Sequence, residues 1–311
     1  MNSTKALYNH LRYLAREDST LKVDSWAIEN FRTLPIAKLW EQLHQLGIQI
    51  DQIAFSHFSK GCDTPEELTD LLVDDDLSHQ NRDQIYLILF EIWRRILPEK
   101  LSISVFCDEL DYLIDQYDQN ILDTDEKIQD ALALLSEILA EHVDAKVKPK
   151  IAFEKLAEYC ANNLEIFIYD YISDLLDQKN LSYAAELFEQ FSIYFPLSLD
   201  WEFLQARILS FTEITEANRR LENILLKDVE LDLLFEILEL LISVGEKELF
   251  PIVLRKMTPL LSPDDLEDAL LLSAEYFRRL DCEKEELKIL ELKKSKKSFS
   301  EILKEFQKIY D

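Results

Sequence analysis

Three glycines in 311 residues, Gly47, Gly61 and Gly245, are the tightest constraint on what this chain can become. Average usage would supply roughly twenty. Strand-to-strand turns and phosphate-cradling loops both need backbone at positive φ, which glycine provides without steric cost. A chain this poor in glycine has little material for either. Long stretches are instead rich in Leu, Glu, Ala, Lys and Gln, which lose little rotamer freedom in a helix. The expected fold class is all-α.

The charge narrows the partners. Asp and Glu number 61 against 34 Lys and Arg, a formal net charge of −27. Nucleic-acid backbones and anionic membranes are themselves negative, so neither is expected as a main partner. A protein with basic character fits better. No apolar run reaches the roughly 18 residues that a spanning helix needs, so no membrane span is expected. The first residues, MNSTKALYNHLRYLARED, lack the hydrophobic block of a signal peptide. Cys62, Cys107, Cys160 and Cys282 are scattered with no C-x-x-C pair, as expected of reduced thiols in a reducing compartment. The expected location is cytoplasmic.

Apolar spacing and punctuation place helices through the first half. Ser3 or Thr4 can cap a helix carrying Leu7, Leu11 and Leu14, with Tyr8 and Tyr13 beside that stripe. Pro35 opens a segment with Leu39, Trp40 and Leu43 at helical spacing, and Gly47 falls where a left-handed residue ends a helix. Thr64, Pro65 and Glu67 read as a capping box. The stretch 82–97 is strongly apolar and predicts an inner helix closed by Pro98, and further helices are predicted at about 102–118 and 124–143. Residues 142–150 turn polar and basic around Lys148-Pro149-Lys150, so they divide the chain or simply join two helices. The expected organisation is an N-terminal helical region over 1–145 and helical repeats over 151–311.

A repeat supports the second part. Trp201, Phe235 and Ala269 are spaced by 34 residues, as are Leu204, Leu238 and Leu272, and Ile208, Ile242 and Tyr276. One helical hairpin cannot bury its apolar stripe alone, so it stacks on a neighbour, and about 34 residues accommodate two helices and two short loops. The final segment 298–310 opens with Ser298 and Glu301 and carries Phe299, Ile302, Leu303, Phe306 and Ile309 on one face. It can seal the end of the stack or dock on a partner.

Ala184, Phe188, Phe191 and Pro196 stand at the spacing of the second helix of a tetratricopeptide (TPR) repeat. Trp201 and Leu204 fit that family's first-helix positions in the next unit, and Ala217 and Leu221 its second helix. Over about 163–297 the chain therefore resembles a TPR-type solenoid. The family's small first-helix residue is replaced by Ile172, Gln205 and Glu239, and is small only at Ser273; Pro251 stands where an alanine would fall. The resemblance implies a superhelix of antiparallel hairpins, with the N-terminal bundle continuing into it, and a concave groove for a peptide or helix.

Catalytic and cofactor signatures are missing. There is no phosphate-binding glycine loop, no G-x-S-x-G elbow and no H-E-x-x-H, so no enzyme and no cofactor are expected. Glu41 and His44 form a lone E-x-x-H, whereas a di-iron bundle needs two plus further glutamates, so no metal site is expected. His57 with Cys62, and the run Asp74–Asp76, give no better pattern. The expected function is a protein–protein interaction module: a scaffold, adaptor or chaperone-like protein with an acidic groove. Tyr169, Glu202 and Glu236 lie one step past the Trp201 register and are the candidate groove residues. Lys293, Lys294, Lys296 and Lys297 form a second candidate contact, a basic patch in an acidic chain. The alternatives are a bacterial effector or secretion-associated helical protein acting through its N-terminal half, and a helical enzyme with scattered carboxylates.

Overall fold

The computed structural model describes residues 4–74, 76–244, 248–295 and 297–310. Among the described residues there are seventeen α-helices, a few short 3-10 turns and no strand. No described helix is long and apolar enough to cross a membrane. The chain divides into two compact units, Met1–Phe167 and Ile168–Asp311.

The first unit contains α1 (Lys5–Glu17), α2 (Ile36–Gln45), α3 (Gln52–Phe58), α4 (Pro65–Leu72), α5 (His79–Ile96), α6 (Ile103–Asp118), α7 (Glu126–Asp144) and α8 (Pro149–Ala157). Its central rod is α5, whose residues Ile85–Trp93 are all buried. A helix apolar all round belongs inside. Helices α2 and α4 pack on it, and α1 lies along α6. The expected punctuation is present. Gly47 has φ +97°, and the amides of Gly47 and Ile48 return to the carbonyls of His44 and Leu43, a Schellman ending. Thr64 accepts from the Glu67 amide at 3.1 Å, while the Glu67 carboxylate accepts from Asp63, one residue before the cap. Residues 145–148 connect α7 to α8 inside this unit.

Among the described residues, four other turns adopt positive φ without glycine, at Asn120, Lys146, Lys179 and Asp281. Each sits just past a helix end, and the next amide reaches back to the last turn, as Val147 does to His142 at 3.3 Å. The chain ends helices in the left-handed conformation despite its few glycines.

One sequence expectation fails in α1. Leu7 and Leu14 are 45% and 42% exposed, while Lys5, Ala6, Tyr8 and Asn9 form the buried face. Polar partners on α5 and α6, described below, turn the helix this way.

Helix α9 spans Leu164–Asp177. There follow α10 (Leu181–Phe191), α11 (Leu199–Leu209), α12 (Ile214–Leu225), α13 (Leu231–Val244), α14 (Leu249–Met257), α15 (Pro263–Arg279), α16 (Glu283–Lys294) and α17 (Phe299–Tyr310). The helices pair as α11 with α12, α13 with α14, and α15 with α16. Neighbouring pairs meet through α11 and α13, α13 and α15, and α12 and α14. Trp201 is buried at the entry, stacked on Phe195 with ring centroids 4.6 Å apart and against Phe188 at 5.9 Å. Phe250 of α14 stacks on Tyr276 of α15 at 3.5 Å. Pro251 sits in the first turn of α14, where the missing amide breaks no helical hydrogen bond.

The first helices α11, α13 and α15 start at Leu199, Leu231 and Pro263, steps of 32 residues rather than the 34 read from the apolar registers. The buried set Leu234, Ile237, Leu238, Leu241 and Ile242 of α13 corresponds at that shorter step to Leu266, Ala269, Leu270, Ser273 and Ala274 of α15. Phe235 and Leu272, members of the 34-residue registers, are only half-buried. The 34-residue registers therefore drift by two residues per step along α11, α13 and α15. Helix α17 lays Phe306 and Tyr310 fully into this core, with Phe299, Ile302, Leu303 and Ile309 half-buried around them, so its apolar face is covered within the unit. The Tyr310 hydroxyl also pairs with that of Thr258, buried at the end of α14.

Candidate functional site

Three helices, α9, α11 and α13, contribute to one polar row. The Tyr169 hydroxyl of α9 donates to Glu236 Oε2 of α13 at 2.6 Å. Between them α11 supplies Arg207, which bonds Asp177 of α9 at 2.9 Å, and Asp200, whose charge bears on both members of the pair. Burial raises the Glu236 carboxyl above its ordinary value, opposed by the Tyr169 hydrogen bond and the Arg207 guanidinium. Burial, then the Glu236 charge, push the Tyr169 phenol far up, so it stays a donor at any physiological pH. The row is a donor–acceptor chain that is acidic on balance.

The other candidates lie elsewhere. Glu202, in the first turn of α11, takes both carboxylate oxygens to Lys227 at 2.7 and 2.8 Å. Lys227 stands just past the end of α12, so this pair clasps one hairpin at its open edge. The same clasp recurs in α15 and α16, where Lys293 meets Glu267 at 3.0 Å. Lys256 near the end of α14 donates to the Lys227 carbonyl at 2.7 Å, linking adjacent hairpins. Lys297 pairs with Glu305 of α17 at 2.6 Å, Lys294 is exposed, and Lys296 lies outside the described residues. Glu202, Lys293 and Lys297 are thus each paired with an oppositely charged group of the chain itself. Only Tyr169 and Glu236 are brought together.

The metal-like spacing in α2 does not converge. His44 Nε2 faces the Ile50 carbonyl at 2.9 Å, and Glu41 engages Lys38 and Gln45. No group of three or more His, Cys, Asp or Glu among the described residues is placed to hold a metal ion.

A buried ionic cluster in the first unit is the largest polar feature that sequence reasoning missed. Asp108 of α6, 2% exposed, takes Arg32 Nη2 at 2.5 Å, Asn9 Nδ2 at 2.8 Å and Lys5 Nζ at 3.7 Å. Burial alone would raise its carboxyl, but Lys5 and Arg32 outweigh burial and hold it below its ordinary value. One turn on, Asp111 accepts from the amides of Ala161 and Asn162 at 2.8 and 3.0 Å and from the Asn162 side chain at 2.9 Å. Here burial prevails over those donors and lifts the carboxyl to about 6. Fully buried Glu91 of α5 is gripped by Arg94 and Arg95, and Arg95 goes on to donate to the carbonyls of Phe31, Arg32 and Leu34. The Glu91 contacts follow i,i+3 and i,i+4 spacing and were visible in principle; the Asp108 contacts span 76 to 103 residues and were not. Each of these carboxylates is committed to a cation or an amide, which suits them to fixing helices rather than to proton transfer.

Comparison with protein-family models, with curated proteins and with solved structures finds no match to this chain.

Proposed function

We propose that the chain is a protein–protein interaction module of scaffold, adaptor or chaperone-like kind, in which a TPR-like stack after residue 163 receives a basic peptide or helix along its first helices. The single observation that carries this reading is the row in which α9, α11 and α13 place Tyr169, Asp200, Arg207 and Glu236 next to one another. A shared row requires that the first helices of successive hairpins line one side, the arrangement that creates an extended binding surface in helical repeats. The contact order of the hairpins supports it, as does the burial of Ala184, Phe191, Trp201, Ala217 and Leu221 at the positions that resemble the TPR pattern. Acids outnumber bases along the row, which favours a ligand with Lys and Arg. The role is binding, without catalysis or cofactor.

The test is affinity capture from native lysate followed by mass spectrometry, with Tyr169→Ala/Glu202→Ala/Glu236→Ala as the control. Capture of a basic partner by the wild type, weakened in a variant of unchanged helicity, supports the reading. Equal capture by both would refute it.

A further inference from the structure

The geometry points to α1 as a releasable strap: a basic helix held on its own acidic bundle by polar contacts, able to detach while the rest of the first unit stays folded. Three cations, Lys5, Arg12 and Arg16, stand against the single acid Glu17 in α1, within a chain of net charge −27. It is attached through Lys5 and Asn9 to Asp108, Tyr13 to the Asp111 carbonyl at 3.2 Å, Arg16 to Asp115 at 2.6 Å and Tyr8 to Asp83 at 2.7 Å. The Lys5 amide donates to the Tyr86 hydroxyl at 3.1 Å. The apolar contribution is modest: Ala6 and Tyr8 are buried, Tyr8 lying against Trp26 at 5.7 Å, while Leu11, Tyr13 and Ala15 are half-buried and Leu7 and Leu14 face outward.

Release of a polar helix is normally prevented by the buried charge it leaves behind, at several kcal/mol. Here the groups left behind keep partners. Asp108 retains Arg32, which is fixed to α6 through Asp108, its carbonyl and Glu109. Tyr86 retains Glu66 at 2.8 Å. Asp111 retains Ala161 and Asn162. Asp115 lies near the surface. Lys5 and Asn9 return to water with the helix. Residues 18–22, nearly all exposed, supply the tether.

Native-state hydrogen exchange of the full-length chain, read helix by helix at 50 and 500 mM NaCl, tests this. The amides of α1 should open ahead of those of α5 and α6. Salt should speed α1 on the order of threefold, chiefly through the exposed Arg16–Asp115 pair because the buried Lys5–Asp108 pair is screened much less, and leave α5 unchanged. In Lys5→Met/Arg16→Met the salt response of α1 should largely vanish, while α5 and α6 keep their protection. Exchange of α1 only together with α5 and α6 would overturn the proposal. So would a salt response equal in all three helices, or one that persists in the double variant.

Discussion

The Tyr169–Glu236 hydrogen bond joins helices 67 residues apart and offers a direct energetic probe of the first-helix row. Tyr169→Phe removes the donor and leaves the ring; Glu236→Gln removes the charge and leaves the shape. A hydrogen bond to a charged acceptor contributes about 1.5–3 kcal/mol. Glu236 is half-buried and Arg207 competes for it, so a coupling of about 1 kcal/mol is expected, a factor of about five in the local opening constant. The assay is a double-mutant cycle read from native-state hydrogen exchange of α9 and α13, which avoids assuming that two units unfold as one. The coupling should decline as the pH falls through the Glu236 titration, which burial has raised, because the protonated carboxyl is a weaker acceptor. A coupling within the about 0.3–0.5 kcal/mol of ordinary additivity would show that α9 and α13 do not meet as described.

Other perturbations address the supports of the fold. Glu91→Gln removes the anion that Arg94 and Arg95 share; a loss of about 3 kcal/mol is expected in urea denaturation of the first unit, with faster exchange around Phe31, Arg32 and Leu34, whose carbonyls Arg95 holds. Lys146→Gly relieves a left-handed residue with an exposed side chain and should stabilise the first unit by about 1 kcal/mol. The two buried carboxylates of α6 act oppositely with pH. Asp108, held low, contributes stability above its ordinary value and loses it as pH falls through its folded value. Asp111, raised to about 6, contributes at acid pH and loses that contribution as pH rises from the ordinary carboxylate range through about 6. Carboxyl-carbon NMR titration should show Asp111 with a midpoint near 6 and Asp108 still ionised there.

What could be read from the sequence was whatever depends on neighbours along the chain. Pro35 to Gly47, Thr64 with Glu67, and the apolar run before Pro98 mark helices because caps and periodicity act over a few residues. The apolar face of the last helix was legible too, although only the structure shows Phe306 and Tyr310 seated in the core. Contacts that override periodicity were hidden. Leu7 and Leu14 of α1 point outward because Asp108, about a hundred residues away, pulls Lys5 and Asn9 inward. The 34-residue registers run two residues longer than the 32-residue step between the starts of α11, α13 and α15, because apolar coincidences at one spacing do not fix where each helix begins. At the candidate site, helical phase placed Tyr169 and Glu236 on one surface. It could not foresee that Lys227, entering from the antiparallel helix, would take Glu202 instead.

The most direct measurement of the central claim is a hydrogen-exchange footprint of the full-length protein with and without a captured basic partner or a Lys/Arg-rich helical peptide derived from it. Protection concentrated on α9, α11 and α13 around Tyr169, Arg207 and Glu236 is the predicted result. Protection confined to α10, α12 and α14, or to the first unit, would contradict it.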